Sequence, residues 1–325
     1  MNNAQNAGRT NTTSDSLVLV VVTAENTTWV TPADNAEFTL NADATIPEIV
    51  FEFRTEAPGP YQWSWVINWD AKQSGLKERP RRNFILRTYS EVGDFSSSEK
   101  RWVLDFGGQK VLGGKLVVSV KVGGLIIKRS IKIKGQNPVV TDLHDFIDTL
   151  ENSAGLKKLL AHESFNKHFI NLDGEPIVSF DQGYGMAQMT NPAPDYTTAW
   201  SWKENVKAGS DLFQTKREQA INHLSQHGTY SDEMVEREAI SLWNGGYYYK
   251  WDSRSNSWVR KYNHLCDSQT GNIGWNMNNP INAGNTEAQL HIRDQPTYAS
   301  GSDGQSAEHA WVYSGLCYAD KVYGE

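Results

Sequence analysis

Two kinds of periodicity divide the chain. In the first part, short apolar runs alternate with polar residues at a period of two. Leu17–Val22, Glu48–Phe53, Gln62–Trp69, Arg101–Phe106, Lys115–Val122 and Leu125–Lys134 read as strands. Leu116, Val118, Val120 and Val122 share one face of such a strand, and Ile127, Ile131 and Ile133 repeat the pattern in the next run. Gly123-Gly124 between them is a two-residue hairpin turn. In the second part the spacing is helical. Leu143, Phe146, Ile147 and Leu150 predict a helix with Thr141 as its N-cap. Leu156, Leu159 and Leu160 open a second helix that runs into Ala161-His162-Glu163-Ser164. Val206, Phe213, Ala220, Ile221 and Leu224 mark a longer one, and Ser231-Asp232-Glu233 starts another carrying Val235, Ala239, Leu242 and Trp243. The stretch from Asn263 to Ser306 shows no clear period, and a last short helix spans Leu316–Val322.

Charge follows the same division. Residues 1–137 carry 17 Lys+Arg, 14 Asp+Glu and no His; residues 138–325 carry 14, 24 and all 8 His. The join falls at Gly135-Gln136-Asn137-Pro138, a linker by composition. The expected fold class is α+β multidomain. A disordered polar tail (1–16) precedes an antiparallel β-sandwich of immunoglobulin-like size (17–136), and residues 138–325 form a mainly α domain. A net charge of −7 argues against a nucleic-acid binder, and no apolar run approaches the ~20 residues that span a bilayer. Trp63, Trp65 and Trp69 alternate as core-filling strand residues.

A lone Glu near a helix end is ordinarily a solvated surface group. The segments downstream of Glu163 change its meaning. Glycines at 183 and 185, within Val178-Ser179-Phe180-Asp181-Gln182-Gly183-Tyr184-Gly185-Met186-Ala187-Gln188-Met189, allow a backbone to approach a ligand closely, and Gln188 brings both a donor and an acceptor. Asn205-Val206-Lys207-Ala208-Gly209 and Leu242-Trp243-Asn244-Gly245-Gly246 come next. In this order the segments resemble the catalytic domain of soluble lytic transglycosylases, lysozyme-like enzymes that cut peptidoglycan. Glu163-Ser164 corresponds to the family's Glu-Ser pair. Gly185-Met186-Ala187-Gln188 corresponds to its Gly-Leu-Met-Gln, Asn205 to Gly209 to its Asn-Ile-x-x-Gly, and Trp243 to Gly246 to its Tyr-Asn-Ala-Gly. Ser179 stands where the family often has a Ser, and Tyr318 to Tyr323 resembles its closing helix. The resemblance covers residues 141–262 and 311–325.

The resemblance implies cleavage of the β-1,4 bond between N-acetylmuramic acid and N-acetylglucosamine. Glu163 acts as acid and then as base, and the product ends in a 1,6-anhydro ring. It also implies that Ser179, Tyr184, Met186, Gln188, Asn244 and Tyr318 bind substrate, with no metal and no organic cofactor. The apolar residues around Glu163 suit an acid of raised pKa. The family's Tyr is here Trp243, which has an N–H but no hydroxyl, so Tyr247, Tyr248 or Tyr318 is the candidate phenol. A rival reading is a goose-type-lysozyme-like muramidase, a hydrolase with Asp181 as second carboxylate and Asp173 and Glu175 nearby; another is a non-catalytic wall-binding protein.

His223 and His227 share a helix face but lack the Glu of a His-Glu-x-x-His zinc motif, and a solvated face is the better reading. Cys266 and Cys317 either bridge, in an oxidising compartment, or remain free thiols. The amino terminus has no signal-peptide pattern. The expected place of action is the periplasm or cell wall, reached through a dedicated secretion system such as type VI or through a phage. The expected partners are peptidoglycan strands, a component of the secretion apparatus that docks on the β domain, and a cognate immunity protein. Membrane insertion and nucleic acid are not expected.

Overall fold

The computed structural model describes residues 26–76 and 78–324. The predicted tail 1–16 and the strand Leu17–Val22 lie outside the described residues. The fold is α+β, with seven α-helices and several sheets among the described residues.

The first half forms β1 (Thr28–Thr31), β2 (Ala36–Thr39), β3 (Val50–Arg54), β4 (Tyr61–Lys72), β5 (Ile85–Ser97), β6 (Arg101–Val103), β7 (Gly114–Val122) and β8 (Leu125–Lys134). They pair as a three-stranded sheet, β1-β3-β6, and a five-stranded sheet, β2-β8-β7-β4-β5. The second is antiparallel except for the parallel β2–β8 pair. The alternation predicted for β7 holds, with Leu116, Val118, Val120 and Val122 buried. Val122 pairs with Leu125 across Gly123-Gly124, where Gly123 takes a φ of 59°. The inner faces of both sheets share one core, in which Trp63 packs edge-on to Phe53 and Trp29. Trp63, Trp65 and Trp69 are core residues, as their spacing predicts. Strands β1, β2 and β5 are additional to those the pattern predicts. Of the residues in β5, only Tyr89 is fully buried, because the strand lies at a sheet edge.

The second half contains α1 (Val140–Asp148), α2 (Leu156–Ser164), α3 (Tyr196–Trp200), α4 (Trp202–Leu224), α5 (Asp232–Trp243), α6 (Glu287–Asp294) and α7 (Gly315–Tyr323). Short strands β9 (Phe169–Ile170), β10 (Glu175–Pro176), β11 (Tyr249–Asp252), β12 (Ser257–Arg260), β13 (His264–Cys266), β14 (Ile273–Asn276) and β15 (Trp311–Tyr313) link them. Thr141 is not the N-cap of α1. The helix starts at Val140, Val139 is its cap residue without a side-chain bond, and Thr141 lies inside the first turn. Helix α5 starts at Ser231-Asp232-Glu233 as predicted, and Ser231 caps it, accepting from the Met234 amide at 3.3 Å. The aperiodic stretch after Asn263 contains a three-stranded sheet and α6 around a small core of Ile273, Trp275, Leu290 and Trp311.

Packing crosses the composition boundary. The inner face of the long sheet extends to Phe169, Val178, Tyr184, Tyr196 and Trp200, which belong to the same core as the strands. Gly135 and Gly113 make this possible: a Cβ on either would come within 2.0 Å of the Phe169 or Trp200 ring, respectively. Asn137 pins the linker, its side-chain oxygen accepting from the amides of His168 (2.7 Å) and Phe169 (2.8 Å).

Candidate active site

Helix α2 buries Leu156, Leu159 and Leu160 in a second core. Glu163 follows Leu159 by four residues, so the buried stripe carries its carboxyl inward at the end of the helix. The chain leaves α2 through Phe165 and Asn166, both left-handed (φ 56° and 59°). Two donors meet the carboxyl. Trp243, at the end of α5, donates its Nε1–H to Glu163 Oε1 at 3.0 Å. Tyr318, in α7, donates its hydroxyl to the same oxygen. Glu163 Oε2 has no hydrogen-bond partner among the described residues.

Close backbone packing places α7. A Cβ on Gly315 would come within 2.4 Å of the Ser241 carbonyl, so only glycine lets the helix lie against the end of α5. Cys317, the residue before Tyr318, is disulfide-bonded to Cys266 of β13. Burial raises the Glu163 pKa above its ordinary 4.5; the Tyr318 and Trp243 hydrogen bonds oppose the shift and the Asp181 charge adds to it. Burial and the Glu163 charge push the Tyr318 phenol well up, so it is a permanent donor. The His162 ring stands edge-on to Tyr318, and burial with the nearby Lys321 charge lowers its pKa.

The glycine-containing segment forms a tight double turn. Tyr184 bridges to Val178 on one side and Met189 on the other. Ser179 Oγ accepts from the Gly183 amide at 2.8 Å and donates to Asp181 Oδ1 at 2.5 Å. Gln188 adopts a φ of 48° and donates to the Gly185 carbonyl at 2.7 Å. Asn205 of α4 accepts from the Ala187 amide (2.8 Å) and donates to the Tyr184 carbonyl (3.1 Å). One turn later, a Cβ on Gly209 would stand 2.5 Å from that of Ala187. The Asn-to-Gly spacing on α4 thus holds the loop backbone with one residue and makes room for it with the other. His168 supports the loop from beneath, with Nδ1 accepting from the Met186 amide (3.1 Å) and Nε2 donating to the Ala199 carbonyl (2.9 Å). Burial lowers its pKa to about 4, so it is a neutral structural imidazole.

The β half anchors the segment that leads into this loop. Arg81 donates to Asp173 Oδ2 at 2.6 Å and to the carbonyls of Glu175 and Pro176 at 2.9 and 2.7 Å. Asp173 and Glu175 are therefore paired with Arg81 rather than free for catalysis. Ser74 Oγ accepts from the Val178 amide at 3.0 Å.

Two predicted binding residues need correction. Tyr184 is 1% exposed and packs edge-on to Trp69 and Tyr89, in the core shared with the sheets. Met186 is completely buried in the α core. Both sit in a double turn that directs alternate side chains inward, so neither side chain meets a ligand. Ser179, Asp181 and Gln188 lie on the loop as expected, with Asp181 exposed and Gln188 half-buried. Asn244 ends α5 beside Trp243, half-buried and with no side-chain hydrogen bond among the described residues. Of the three candidate phenols, only Tyr318 reaches Glu163. Tyr247 packs on His223, and Tyr248 donates to Asp320 at 2.6 Å.

Sequence reasoning missed Trp243 as a ligand of the carboxyl, although its N–H donor is visible in the sequence. It also missed the exposed rings of Phe165 and Phe180, two residues after Glu163 and one before Asp181.

His223 pairs with the buried Glu238 at 2.5 Å, and His227 stacks on Trp251. Among the described residues no group of three metal-binding side chains comes together, and no helix is long and apolar enough to cross a membrane. A scan against known protein families finds no match, and no curated protein is similar enough to count as a relative.

Proposed function

We propose that the chain is a peptidoglycan lytic transglycosylase with an immunoglobulin-like sandwich in front of a lysozyme-like catalytic domain. One observation carries this reading: the Glu163 carboxyl is held at one oxygen by Trp243 and Tyr318, with burial raising its pKa. With Oε1 engaged, Oε2 is the oxygen that carries the proton. Oε2 gives that proton to the oxygen linking N-acetylmuramic acid to N-acetylglucosamine as the C1–O bond breaks and C1 gains oxocarbenium character. The carboxylate then takes the proton of the C6 hydroxyl while O6 bonds to C1, which closes the 1,6-anhydro ring and restores the acid. The exposed Phe165 and Phe180 rings suit contact with sugar faces. Mass analysis of digested sacculi tests the reading: anhydromuramic ends are expected, and an undigested wall would refute it.

A muramidase reading is favoured by one observation, the Asp181 charge acting on Glu163. In that reading Asp181 activates a water, which requires carboxyls about 6.5–9.5 Å apart, and the digest has reducing muramic ends.

The Cys266–Cys317 disulfide suits an oxidising compartment such as the periplasm. We extend the proposal to an antibacterial effector delivered there by a secretion machine of the type VI kind, with the β half as docking module and an immunity protein covering the cleft. Expression in a Gram-negative host with and without an added export signal tests this: lysis only on export supports it, and toxicity only in the cytosol opposes it.

A further inference from the structure

A groove of about 840 Å3 lies between the β11–β12 hairpin and the β13–β14 pair. It shares no lining residue with the Glu163 site, yet the two are close in structure. Strand β11 begins soon after Trp243, and Arg260 of the hairpin forms a 2.6 Å ion pair with Asp320, two residues beyond Tyr318 in α7.

The groove's charge runs against that of its surroundings. Residues 138–325 carry 14 cations against 24 acids, yet Lys250, Arg254, Arg260 and Lys261 all line the groove. Asp320 neutralises Arg260. Lys250, Arg254 and Lys261 form no ion pair with the described residues. The one lining acid, Asp252, is engaged in the hairpin turn, accepting from the Arg254 amide (3.0 Å) and the Ser255 hydroxyl (2.9 Å). The strand register sets Lys250 opposite Val259, and Lys261 lies two residues further along the same face. Asp252 shares that face and offsets Lys250, so Arg254 and Lys261 leave the groove with a net positive charge. The remaining lining is aromatic and amide. Tyr262 is 47% exposed, and Asn263, Asn276 and Asn278, also exposed, line the groove with it. Flat rings and amide groups suit a pyranose and its acetamido substituents.

We propose that this groove is a second glycan-binding site, one that holds a carboxylate-bearing stretch of strand while Glu163 acts on a bond elsewhere along it. The proposal rests on the wall-glycan reading of the Glu163 site, and the carboxylates are those of the peptide stems. Holding one polymer at two places raises the effective concentration at the cleft.

The test uses full-length Glu163→Gln protein, which leaves the strand intact, with and without Lys250→Glu and Lys261→Glu. Binding is measured to purified sacculi, whose stems carry carboxylates, and to chitin, a β-1,4 polymer of acetamido sugars with no carboxylate. The double charge reversal is expected to weaken binding to stem-bearing wall about tenfold and to leave binding to chitin unchanged. With the groove unmutated, added salt is expected to weaken binding to stem-bearing wall only, a measurement that does not depend on the variant folding. Equal effects on both polymers, or none on either, overturn the proposal. Failure of the underlying reading shows separately: wild-type protein then releases no glycan fragment, whereas failure of the groove proposal alone leaves release intact.

Discussion

Tyr318 and Trp243, from two different helices, donate to the same oxygen of Glu163. A carboxyl held this way is oriented through one oxygen and has the other free to carry a proton. Both donors lower its pKa against the raising effect of burial. Tyr318→Phe is therefore expected to raise the pKa further and to move the alkaline limb of the pH–rate profile upward. Held by Trp243 alone, the carboxyl is less well oriented, and a loss of up to about a hundredfold in rate is expected. Glycan release measured across pH checks both effects.

Asp181→Asn moves the same limb the other way, because removing a neighbouring negative charge lowers the Glu163 pKa. If the product is an anhydro sugar, the rate below that limb stays within a few-fold of wild type. If Asp181 is instead the base of a hydrolase, the loss is about 10²- to 10⁴-fold. One variant thus separates the two chemistries, read from initial rates and product masses.

Glu163→Gln has a stability signature of its own. The folded-state pKa is raised, so the carboxyl favours folding below its unfolded value of 4.5 and loses that contribution as pH rises through the folded value. The glutamine variant lacks this loss. Its melting temperature relative to wild type is expected to climb between pH 4.5 and the raised folded value and then level off. Calorimetry at a series of pH values decides it, and a pH-independent difference would mean that burial does not shift this group.

Gly209→Ala drives a Cβ into that of Ala187, with the loop backbone held above by Asn205. The expected cost is about 1–3 kcal/mol of stability, with a loss of activity greater than the melting shift alone accounts for. Replacing Cys266 and Cys317 by Ser removes the tie between β13 and the turn of α7 that carries Tyr318. About 2–4 kcal/mol is expected to be lost, and glycan release falls with it. Denaturant titration beside an activity assay tests both variants.

The parts of this fold that were legible in sequence are those with a clean period. Leu116 to Val122 and the Leu156–Leu160 stripe announce a strand and a helix because each buries one whole face. Strand β5 was hidden because Tyr89 alone of its residues is buried, while Leu86 and Phe95 pack only partly on the core. The stretch after Asn263 was hidden because its core is four side chains fastened by polar groups, such as Trp275 Nε1 donating to the buried Asp294 at 2.8 Å. Glu163 stands out as a candidate through the order of its accompanying motifs. The inward turn of Tyr184 and Met186 was not legible, since a motif names residues without saying whether side chain or backbone faces the ligand. The reach of Tyr318 to Glu163, 155 residues earlier in the chain, is a tertiary fact that no local pattern encodes.

The most direct measurement is the rate at which purified sacculi release soluble fragments under wild-type and Glu163→Gln protein, with both shown to be folded and to bind the wall. A fall of several orders of magnitude, with anhydromuramic ends in the wild-type digest alone, is the predicted result. Equal release by the two proteins would contradict the account, because the carboxyl between Trp243 and Tyr318 would then have no part in breaking the bond.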